Sequence, residues 1–363
     1  MTELDEKTDR LTRLASESGL GGIVVASQPG FAWLTGGGTN RIDGSRENGN
    51  GALFVRADGR RFVIANAIEM PRLIGEELDA AVWEPIEYPW TQEHTDPDTV
   101  AHLAGRAVEG QAPIGADSPL PGTSLIDRPL SRARALLTAA EVTRYRALGE
   151  DAGAAIGQSC RALQPGTAET AIARMVADAA AGIGGRAVVV LVAADERIAR
   201  FRHPVPTARV WRKAVMVAAC IERGGLVAAV SRLVSAGAVS PDLSARTTAA
   251  ACVFGRLLDA TRPGARGRDL FAVARDAYRE AGFPGEEARH HQGGAIGYRS
   301  REWVAHPASE EQVQACQAFA WNPSITGTKV EDTVLLTGRG IERITTSPDW
   351  PLIDGRAAGI LLL

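Results

Sequence analysis

A proline-punctuated tract divides this chain into two parts, each long enough to bury a core of its own. Proline lacks a backbone N–H and fixes φ, so a cluster of prolines interrupts helices and strands. The prolines of this tract are Pro113, Pro119, Pro121 and Pro129. Domains average about 150 residues, and the chain has 363 residues. We therefore predict two domains, residues 1–136 and residues 137–363.

The first part alternates apolar runs with helical stretches. The runs GGIVVA (21–26), ALFVRA (52–57) and RFVIAN (61–66) have the length and apolar content of strands. Helices are predicted at residues 3–18 and 67–78. Strands that alternate with helices in this way predict an α/β domain.

The second part begins with a strong helix-start signal. Thr138 precedes Glu141 by three residues. This is the spacing of a capping box, in which each side chain bonds to the backbone N–H of the other residue. Pro165 ends this helix, and Thr167 begins a second helix that runs to about Ala181.

The remaining segments of the second part predict helices packed on a mixed sheet. Strands are predicted at residues 187–194, 213–222 and 225–237. Helices follow at residues 241–259 and 268–281, and then come the strand-like segments AFAWNP, DTVLLT and RITT. Strands and helices that cluster separately are typical of an α+β domain.

Composition and charge exclude several classes of protein. The net charge of −3 offers no electrostatic attraction for nucleic acid or for an anionic membrane. The N-terminal sequence MTELDEKTDR lacks the basic and apolar regions of a secretory signal. No apolar run reaches the roughly 18 residues of a membrane span. These features predict a cytoplasmic protein that binds neither nucleic acid nor membranes.

The cysteines support the same location. They are scattered without CxxC spacing, so we interpret them as thiols of a reducing compartment rather than as disulfide or zinc ligands. They are Cys160, Cys220, Cys252 and Cys316.

The polar residues of the C-terminal half predict a catalytic cleft. Three of the six histidines lie in motifs punctuated by glycine or proline: His203 in FRHPVPT, and His290 and His291 in HHQGGAIGY. Glu302 lies in SREW and Glu331 in GTKVEDT. Because loops tend to present side chains to clefts, we expect these imidazoles and carboxylates to perform acid–base chemistry.

The order of these motifs resembles that of the pita-bread family of creatinase, prolidase, aminopeptidase P and methionine aminopeptidase. Two helices and a strand precede HPVPT, paired strands end in SRL, and HHQGG and GTKVEDT follow. The N-terminal α/β part resembles the smaller domain of creatinase, prolidase and aminopeptidase P. The resemblance covers the whole chain, and it implies a C-terminal domain with helices packed on a curved, mainly antiparallel sheet.

The resemblance also implies where metal ligands would lie. The family's metallopeptidases bind two metal ions through two Asp, one His and two Glu. Arg232 matches the Arg of the family's Thr-Arg pair. On that alignment the two Asp positions fall on Ala218 and Ala229, and the first late Glu falls on Asn322. The ligand positions that remain are His291 and Glu331.

We expect neither a metal nor another cofactor in this pocket. No Asp occurs between Asp195 and Asp242, whereas a pair of divalent ions needs several anionic oxygens to bridge it and balance its charge. One imidazole and one carboxylate are too few for a dinuclear centre. By resemblance, Glu302 corresponds to the Glu of the family's His-Glu pair near the cleft.

The resemblance to creatinase, which works without a metal, implies proton transfer by His203. A neutral imidazole accepts a proton from water and returns it to a leaving nitrogen. Arg202 and Arg232 offer forked donors for a substrate carboxylate. We predict a metal-independent hydrolase or lyase that acts on a C–N bond of a small, nitrogenous, carboxylate-bearing substrate. The predicted catalytic residues are His203, His291, Glu302 and Glu331, and the predicted substrate contacts are Arg202, Arg232, His290, Asn322 and Arg41.

Two other functions remain open. One is a metal-dependent Xaa-Pro peptidase, and the other is a noncatalytic pita-bread module that binds a peptide or a protein. The two glutamates also have structural interpretations. Glu331 can pair with Lys329, and Glu302 can pair with Arg301 at the surface.

The glycine-rich segment of the first part is interpreted as a loop. Residues 34–51 lack the GxxxxGK[ST] order of a phosphate-binding loop. In the resembling enzymes, the N-terminal domain of one subunit closes over the active site of its neighbour. The resemblance therefore implies a homodimer in which Arg41 or Arg46 reaches the substrate of the partner subunit.

Overall fold

The computed structural model describes residues 1–108 and 112–363 of the chain. The chain divides into two compact units, Met1–Arg134 and Ala135–Leu363. The boundary expected from the sequence, after residue 136, lies two residues farther along the chain.

Helices occur in both units. They are α1 (Glu3–Glu17), α2 (Gln28–Thr35), α3 (Met70–Arg72), α4 (Gln92–Thr95), α5 (Thr99–Ala107), α6 (Asp127–Ala135), α7 (Ala139–Arg161), α8 (Glu169–Gly182), α9 (Arg197–Arg200), α10 (Pro241–Ala260) and α11 (Gly267–Glu280). A π-helical turn, Leu73–Glu77, follows α3, and a 3-10 turn, Glu286–Ala288, follows α11. In the described ranges, no helix has both the length and the hydropathy to cross a membrane.

The strands also occur in both units. They are β1 (Gly22–Ser27), β2 (Asn48–Arg56), β3 (Arg61–Asn66), β4 (Glu84–Tyr88), β5 (Ile114–Ala116), β6 (Ser124–Leu125), β7 (Arg186–Ala194), β8 (Ala214–Arg223), β9 (Leu226–Ser235), β10 (Gly293–Ile296), β11 (Trp303–Val304), β12 (Gln317–Trp321), β13 (Ser324–Ile325), β14 (Thr328–Lys329), β15 (Asp332–Thr337), β16 (Gly340–Arg343), β17 (Leu352–Ile353), β18 (Ala357–Ala358) and β19 (Ile360–Leu362).

The first unit is built on a mixed sheet with the strand order β4-β3-β2-β1-β5-β6. Strand β1 pairs antiparallel with β2 and parallel with β5. A buried apolar cluster that includes Val24, Phe54 and Ile64 of the sheet also contains Ala104 of α5. The sheet and its covering helix confirm the predicted α/β character of this part.

Two local features of the first unit differ from the prediction. The helix predicted at residues 67–78 is a short α3 that continues as a π-helical turn, and Gly75 inside this turn has a low helix propensity. Helix α2, which the sequence analysis omits, begins directly after β1. The Ser27 hydroxyl at its N-terminus accepts a hydrogen bond from the Gly30 N–H at 3.0 Å.

The second unit contains the long helix α7, which begins at the predicted capping box. The Thr138 hydroxyl accepts a bond from the Glu141 N–H at 3.2 Å, and the Glu141 carboxylate accepts one from the Thr138 N–H at 2.7 Å. The buried face of α7 includes Tyr145, whose hydroxyl donates to the carbonyl of Val227 in β9. Helix α7 is thereby fixed against the strand that leads to the site.

Two larger sheets form the framework of the second unit. One has the strand order β19-β9-β8-β7, and the other has the order β11-β10-β12-β15-β16. They meet where β9 approaches the start of β15, because the Ser231 N–H donates to the Glu331 carbonyl at 3.1 Å. The Thr333 hydroxyl also bonds to the N–H and the carbonyl of Ala229, at 2.8 and 2.9 Å. Glu331 therefore lies at the junction of the two sheets.

Helices cover the second of these sheets. A buried cluster joins Phe254 of α10 and Leu270 of α11 to Phe319 of β12 and Val334 of β15. Together with the antiparallel pairing of β10, β12, β15 and β16, this layer confirms the predicted α+β character of the second part.

Candidate active site

A cavity of about 360 Å³ lies in the second unit beside the junction of the two sheets. Its apolar wall comes from β7 and β8 and includes Val189, Leu191, Ala218 and Ala219. The polar residues that line it come from loops and strand ends. They are His203, His291, Ser300, Arg301, Asn322, Lys329 and Glu331.

Glu331 is the electrostatic centre of the cavity. Its buried carboxylate accepts a bond from the Ser231 hydroxyl at 2.6 Å, and it contacts the Lys329 ammonium at 2.8 Å and an Arg301 guanidinium nitrogen at 3.1 Å. Burial opposes ionisation, but Lys329, and then Arg301, hold the pKa of Glu331 well below its ordinary value. The carboxylate is therefore ionised, and two cations share it.

Three imidazoles lie together beside this group. His203, in the loop between α9 and β8, has its Nε2 3.1 Å from the Nε2 of His290. His290 in turn stacks on His291, with ring centroids 4.3 Å apart. Since neutral imidazole has one donor and one acceptor nitrogen, one of the two Nε2 atoms carries the proton of this contact.

The three imidazoles are neutral near pH 7. Partial burial, followed by the nearby Lys329 ammonium, lowers the pKa of His203 below its ordinary value. The same two causes lower the pKa of His290 to about 2. Burial and then Arg301 lower the pKa of His291 to about 4. Neutral rings accept protons, which is the form a general base requires.

Several buried polar atoms of this region have no hydrogen-bond partner among the described residues. They are the Nδ1 atoms of His290 and His291, the Nε of Arg301 and the Oδ1 of Asn322. Buried polar atoms normally find partners because an unpaired one costs free energy. Three of these residues, His291, Arg301 and Asn322, line the cavity, so their unpaired atoms are available to a ligand.

Arg232, a predicted substrate contact, is engaged inside the protein. Its guanidinium is buried, and its five N–H groups match five bonds inside the protein. The acceptors are the Ser347 hydroxyl, the carbonyls of Ser231 and Thr345, and the Asp332 carboxylate, which accepts two bonds at 3.1 Å. No donor of Arg232 is left for a substrate carboxylate.

Arg202 is likewise engaged away from the cavity. Its guanidinium pairs with the Glu286 carboxylate and donates to the hydroxyls of Ser324 and Thr326, each at 3.0 Å. Arg202 is not among the residues that line the cavity. A carboxylate of the protein occupies its fork, and its contact with a substrate carboxylate stays a prediction.

Glu302 is not among the residues that line the cavity. Its carboxylate accepts bonds from the N–H groups of Tyr298 and Arg299, at 3.0 and 3.2 Å. Instead of pairing with Glu302, Arg301 reaches Glu331. Arg41 lies in the loop between α2 and β2 of the first unit, and its contact with a partner subunit stays a prediction.

The cavity does not have the donor chemistry of a dinuclear metal centre. Ala218 lines it with a methyl group, Asn322 with an amide, and Ala229 pairs with Cys220 on the neighbouring strand. Among the described residues that line the cavity, Glu331 is the only carboxylate, and it is already neutralised by two cations. Two divalent ions need several anionic oxygens, so the residues present do not fit such a pair.

A single ion has a more plausible set of ligands. One ring nitrogen from each of His203, His290 and His291 lies within 4.8 Å of the other two. Three imidazoles are the protein ligands of some mononuclear zinc sites. This arrangement is separate from the carboxylate positions that the family resemblance implies.

Cys220 also lines the cavity, but it is a poor nucleophile there. Burial raises the pKa of its thiol to about 11, so the reactive thiolate is scarce near neutral pH. All four cysteines of the chain are free thiols.

The profile of metallopeptidase family M24 matches residues 143–338. The chain belongs to metallopeptidase family M24. Among curated relatives, the Xaa-Pro dipeptidase of Pyrococcus furiosus is 29% identical over 96 residues, which are 25% of this chain and 27% of that protein. The sequence match thus spans about a quarter of the relative.

Solved structures match this M24 member over its whole length. Dipeptidase PepE from Mycobacterium ulcerans has a TM-score of 0.80 and 21% identity, with 99% of this chain and 98% of that chain covered. A recombinant prolidase from Thermococcus sibiricus has a TM-score of 0.81 and 18% identity, with 100% of both chains covered. These likenesses confirm the predicted two-part pita-bread fold.

Sequence reasoning on this M24 member missed the two cations of the site. The sequence offers them only as ion-pair alternatives, Arg301 for Glu302 and Lys329 for Glu331, and the second pair is present at 2.8 Å. A signal was available: in KVEDT, Lys329 and Glu331 are two residues apart and share one side of an extended segment. Arg301 lies between β10 and β11, and its contact with Glu331, 30 residues away, is one that no local pattern reveals.

Proposed function

We propose that this M24 family member is a hydrolase or lyase that cleaves a C–N bond of a small, nitrogenous, carboxylate-bearing substrate without a bound metal. One observation carries the proposal. The carboxylate that lines the cavity, Glu331, is shared by Lys329 and Arg301 instead of being available to a metal. Acid–base chemistry by neutral imidazoles is what the cavity offers in place of metal catalysis.

His203 is the proposed proton-transfer residue. In a hydrolysis, its neutral imidazole takes a proton from a water molecule while the water oxygen bonds to the substrate carbon. The C–N bond then breaks, and the imidazolium returns the proton to the departing nitrogen. The 3.1 Å contact with His290 orients the His203 ring. A positioned acid–base group contributes roughly 10²- to 10⁴-fold to the rate.

The first experiment combines metal content with chelator-treated turnover. Elemental mass spectrometry of the purified protein gives the metal stoichiometry, and guanidino acids, amides and Xaa-Pro dipeptides serve as substrates. We expect substoichiometric metal, turnover that survives chelator, and a loss of about 10²-fold or more in His203→Ala. Two equivalents of metal with chelator-sensitive turnover would overturn the proposal. Absence of both metal and turnover would favour the noncatalytic binding module.

A metal-dependent Xaa-Pro dipeptidase is the second candidate. The names of the relatives suggest it, and the ring nitrogens of His203, His290 and His291, all within 4.8 Å, favour it specifically. This candidate predicts about one equivalent of bound metal that is lost in His290→Gln. The same metal measurement on wild type and variant therefore separates the two candidates.

The assembly and the location are also proposals. We propose a cytoplasmic homodimer, in which Arg41 of one subunit lies near the substrate of the other. Light scattering on the purified protein tests the dimer. A stable monomer with full turnover would exclude a role for the partner subunit's Arg41.

A further inference from the structure

We infer that Arg301 and Lys329 form an anion receptor, in which their charges replace those of a metal and bind the carboxylate of the substrate. The inference rests on the proposed function and names the group that the cavity recognises. Arg301 and Lys329 take the place of Arg202 and Arg232 as the proposed carboxylate contacts. The donors of Arg202 and Arg232 are engaged inside the protein.

The charge of the cavity is the first argument. Arg301 and Lys329 carry two positive charges and Glu331 carries one negative charge, so this group has a net charge of +1. The side chains of Lys329 and Glu331 are only 7% and 5% exposed. A buried excess charge costs free energy unless an opposite charge accompanies it. One monoanionic ligand would supply that charge.

The free donors are the second argument. The Nε of Arg301 is buried and has no hydrogen-bond partner among the described residues. An ammonium has three N–H donors, and the Lys329 ammonium contacts Glu331. The two cations bind different oxygens of Glu331, Arg301 at Oε1 and Lys329 at Oε2. Glu331 thus contacts both cations, and donors remain for a ligand.

The lining of the cavity is the third argument. Because the opposite wall is apolar, with Val189 and Leu191, the ligand is a small monocarboxylate that carries an apolar or amide-bearing body.

The test compares an acid with its neutral amide. N-acetylglycine and N-acetylglycinamide have nearly the same shape, but only the first carries a negative charge near pH 7. Binding is measured by isothermal titration calorimetry on the full-length protein. We expect the acid to bind about tenfold or more tightly than the amide, as for hydrogen bonds to charged groups, and its affinity to fall with added salt. Equal binding of acid and amide, or no binding of the acid, would overturn the receptor.

Variants test whether Lys329 and Arg301 form the receptor. Lys329→Met and Arg301→Gln should each weaken acid binding about tenfold or more, whereas Lys329→Arg should retain part of it. Arg209→Gln is the matched control, because it removes one positive charge from a side chain that is 56% exposed and paired with Glu196. If Lys329→Met binds the acid as wild type does, the assignment is wrong. The comparison of acid and amide on the wild type remains decisive even if a variant misfolds.

The outcome for the receptor is separable from the outcome for catalysis. Binding of the acid is measured without turnover, so a protein that binds the acid but cleaves nothing supports the receptor and contradicts the proposed reaction. Chelator-resistant turnover without preference for the acid would support the reaction and contradict the receptor.

Discussion

Two neighbouring acidic residues, Glu331 and Asp332, form ion-pair groups of opposite character. Asp332 accepts two bonds from Arg232 and one from the Thr345 hydroxyl, and every N–H of Arg232 is used inside the protein. Glu331 is shared by two cations and opens on a cavity with unpaired donors. The first group, built around Arg232, is closed and structural. The second, built around Glu331, is open and suited to a ligand.

The comparison shows that a buried charge does not by itself indicate function. Both groups are buried and lie where β9 meets the β15 side of the second sheet. What separates them is the use of the donors on the cations. Every N–H of Arg232 is bonded inside the protein, and Asp332 Oδ2, which has no hydrogen bond, lies 3.6 Å from Arg343. The Nε of Arg301, in contrast, has no hydrogen-bond partner among the described residues. A cation whose donors are all bonded stabilises one arrangement, whereas a cation with an unused donor has a desolvation cost that a ligand relieves.

The largest effect is expected for the closed group. Arg232→Met leaves Asp332 buried without its main partner, so the free energy of unfolding should fall by about 3–5 kcal/mol. Urea denaturation followed by fluorescence measures this change. Arg209→Gln, at an exposed ion pair, should change stability by less than about 1 kcal/mol. A small effect of Arg232→Met would mean that the closed group is not structural.

A smaller loss of stability is expected when Glu331, the anionic side chain of the open group, is replaced by a neutral one. Glu331→Gln leaves Lys329 and Arg301 side by side without a shared carboxylate, and the free energy of unfolding should fall by about 1–3 kcal/mol. Because the net charge of the group rises from +1 to +2, N-acetylglycine should bind more tightly than to wild type. Weaker binding would show instead that Glu331 is needed to orient the cations. Denaturation and calorimetry on the same preparation give both readouts.

The two groups also differ in how far the sequence predicted them. The start of α7 at Thr138 and Glu141 was predicted because a capping box is a local signal. The partner of Arg232, Asp332, lies 100 residues away. Only the pairing of strands brings Asp332 to it. The sequence could therefore not show that the donors of Arg232 are used inside the protein.

The open group was partly visible in the sequence. His203, His291 and Glu331 were predicted as site residues, and all three line one cavity. Arg301 and Lys329 were not predicted as ligand contacts, because a cation next to a glutamate in sequence is usually a surface ion pair. Their convergence on one carboxylate depends on how β10 and β14 are placed around β9, which local pattern does not encode.

Acid should destabilise the protein through the histidines beside the open group, His290 and His291. The pKa of His291 is lowered to about 4 in the folded protein from an unfolded value of 6.5, and that of His290 to about 2. The unfolded chain therefore binds more protons below pH 6.5, and stability is lost as the pH falls from 6.5 toward these values. Each histidine contributes up to about 1.4 kcal/mol per pH unit in that window.

Urea unfolding at pH 7, 6 and 5 measures this dependence. His290→Gln and His291→Gln should each reduce the loss of stability between pH 6 and pH 5. His94→Gln, at an exposed position of the first unit, is the control and should leave the dependence as in wild type. Unchanged acid sensitivity in both site variants would mean that His290 and His291 do not cause the loss of stability in acid.

The smallest effect concerns the titration of His203 itself. Burial lowers its pKa first; Lys329 and Arg301 lower it further, and Glu331 opposes them. Lys329→Met removes the larger of the two cationic contributions, so the pKa of His203 should rise toward its ordinary value of 6.5. The general-base form would then be lost at a higher pH. NMR titration of the His203 ring proton, with Arg209→Gln as control, measures the change without an assay of turnover. If the pKa of His203 does not rise in Lys329→Met, the positive charge of Lys329 does not lower the pKa of this proposed catalytic residue.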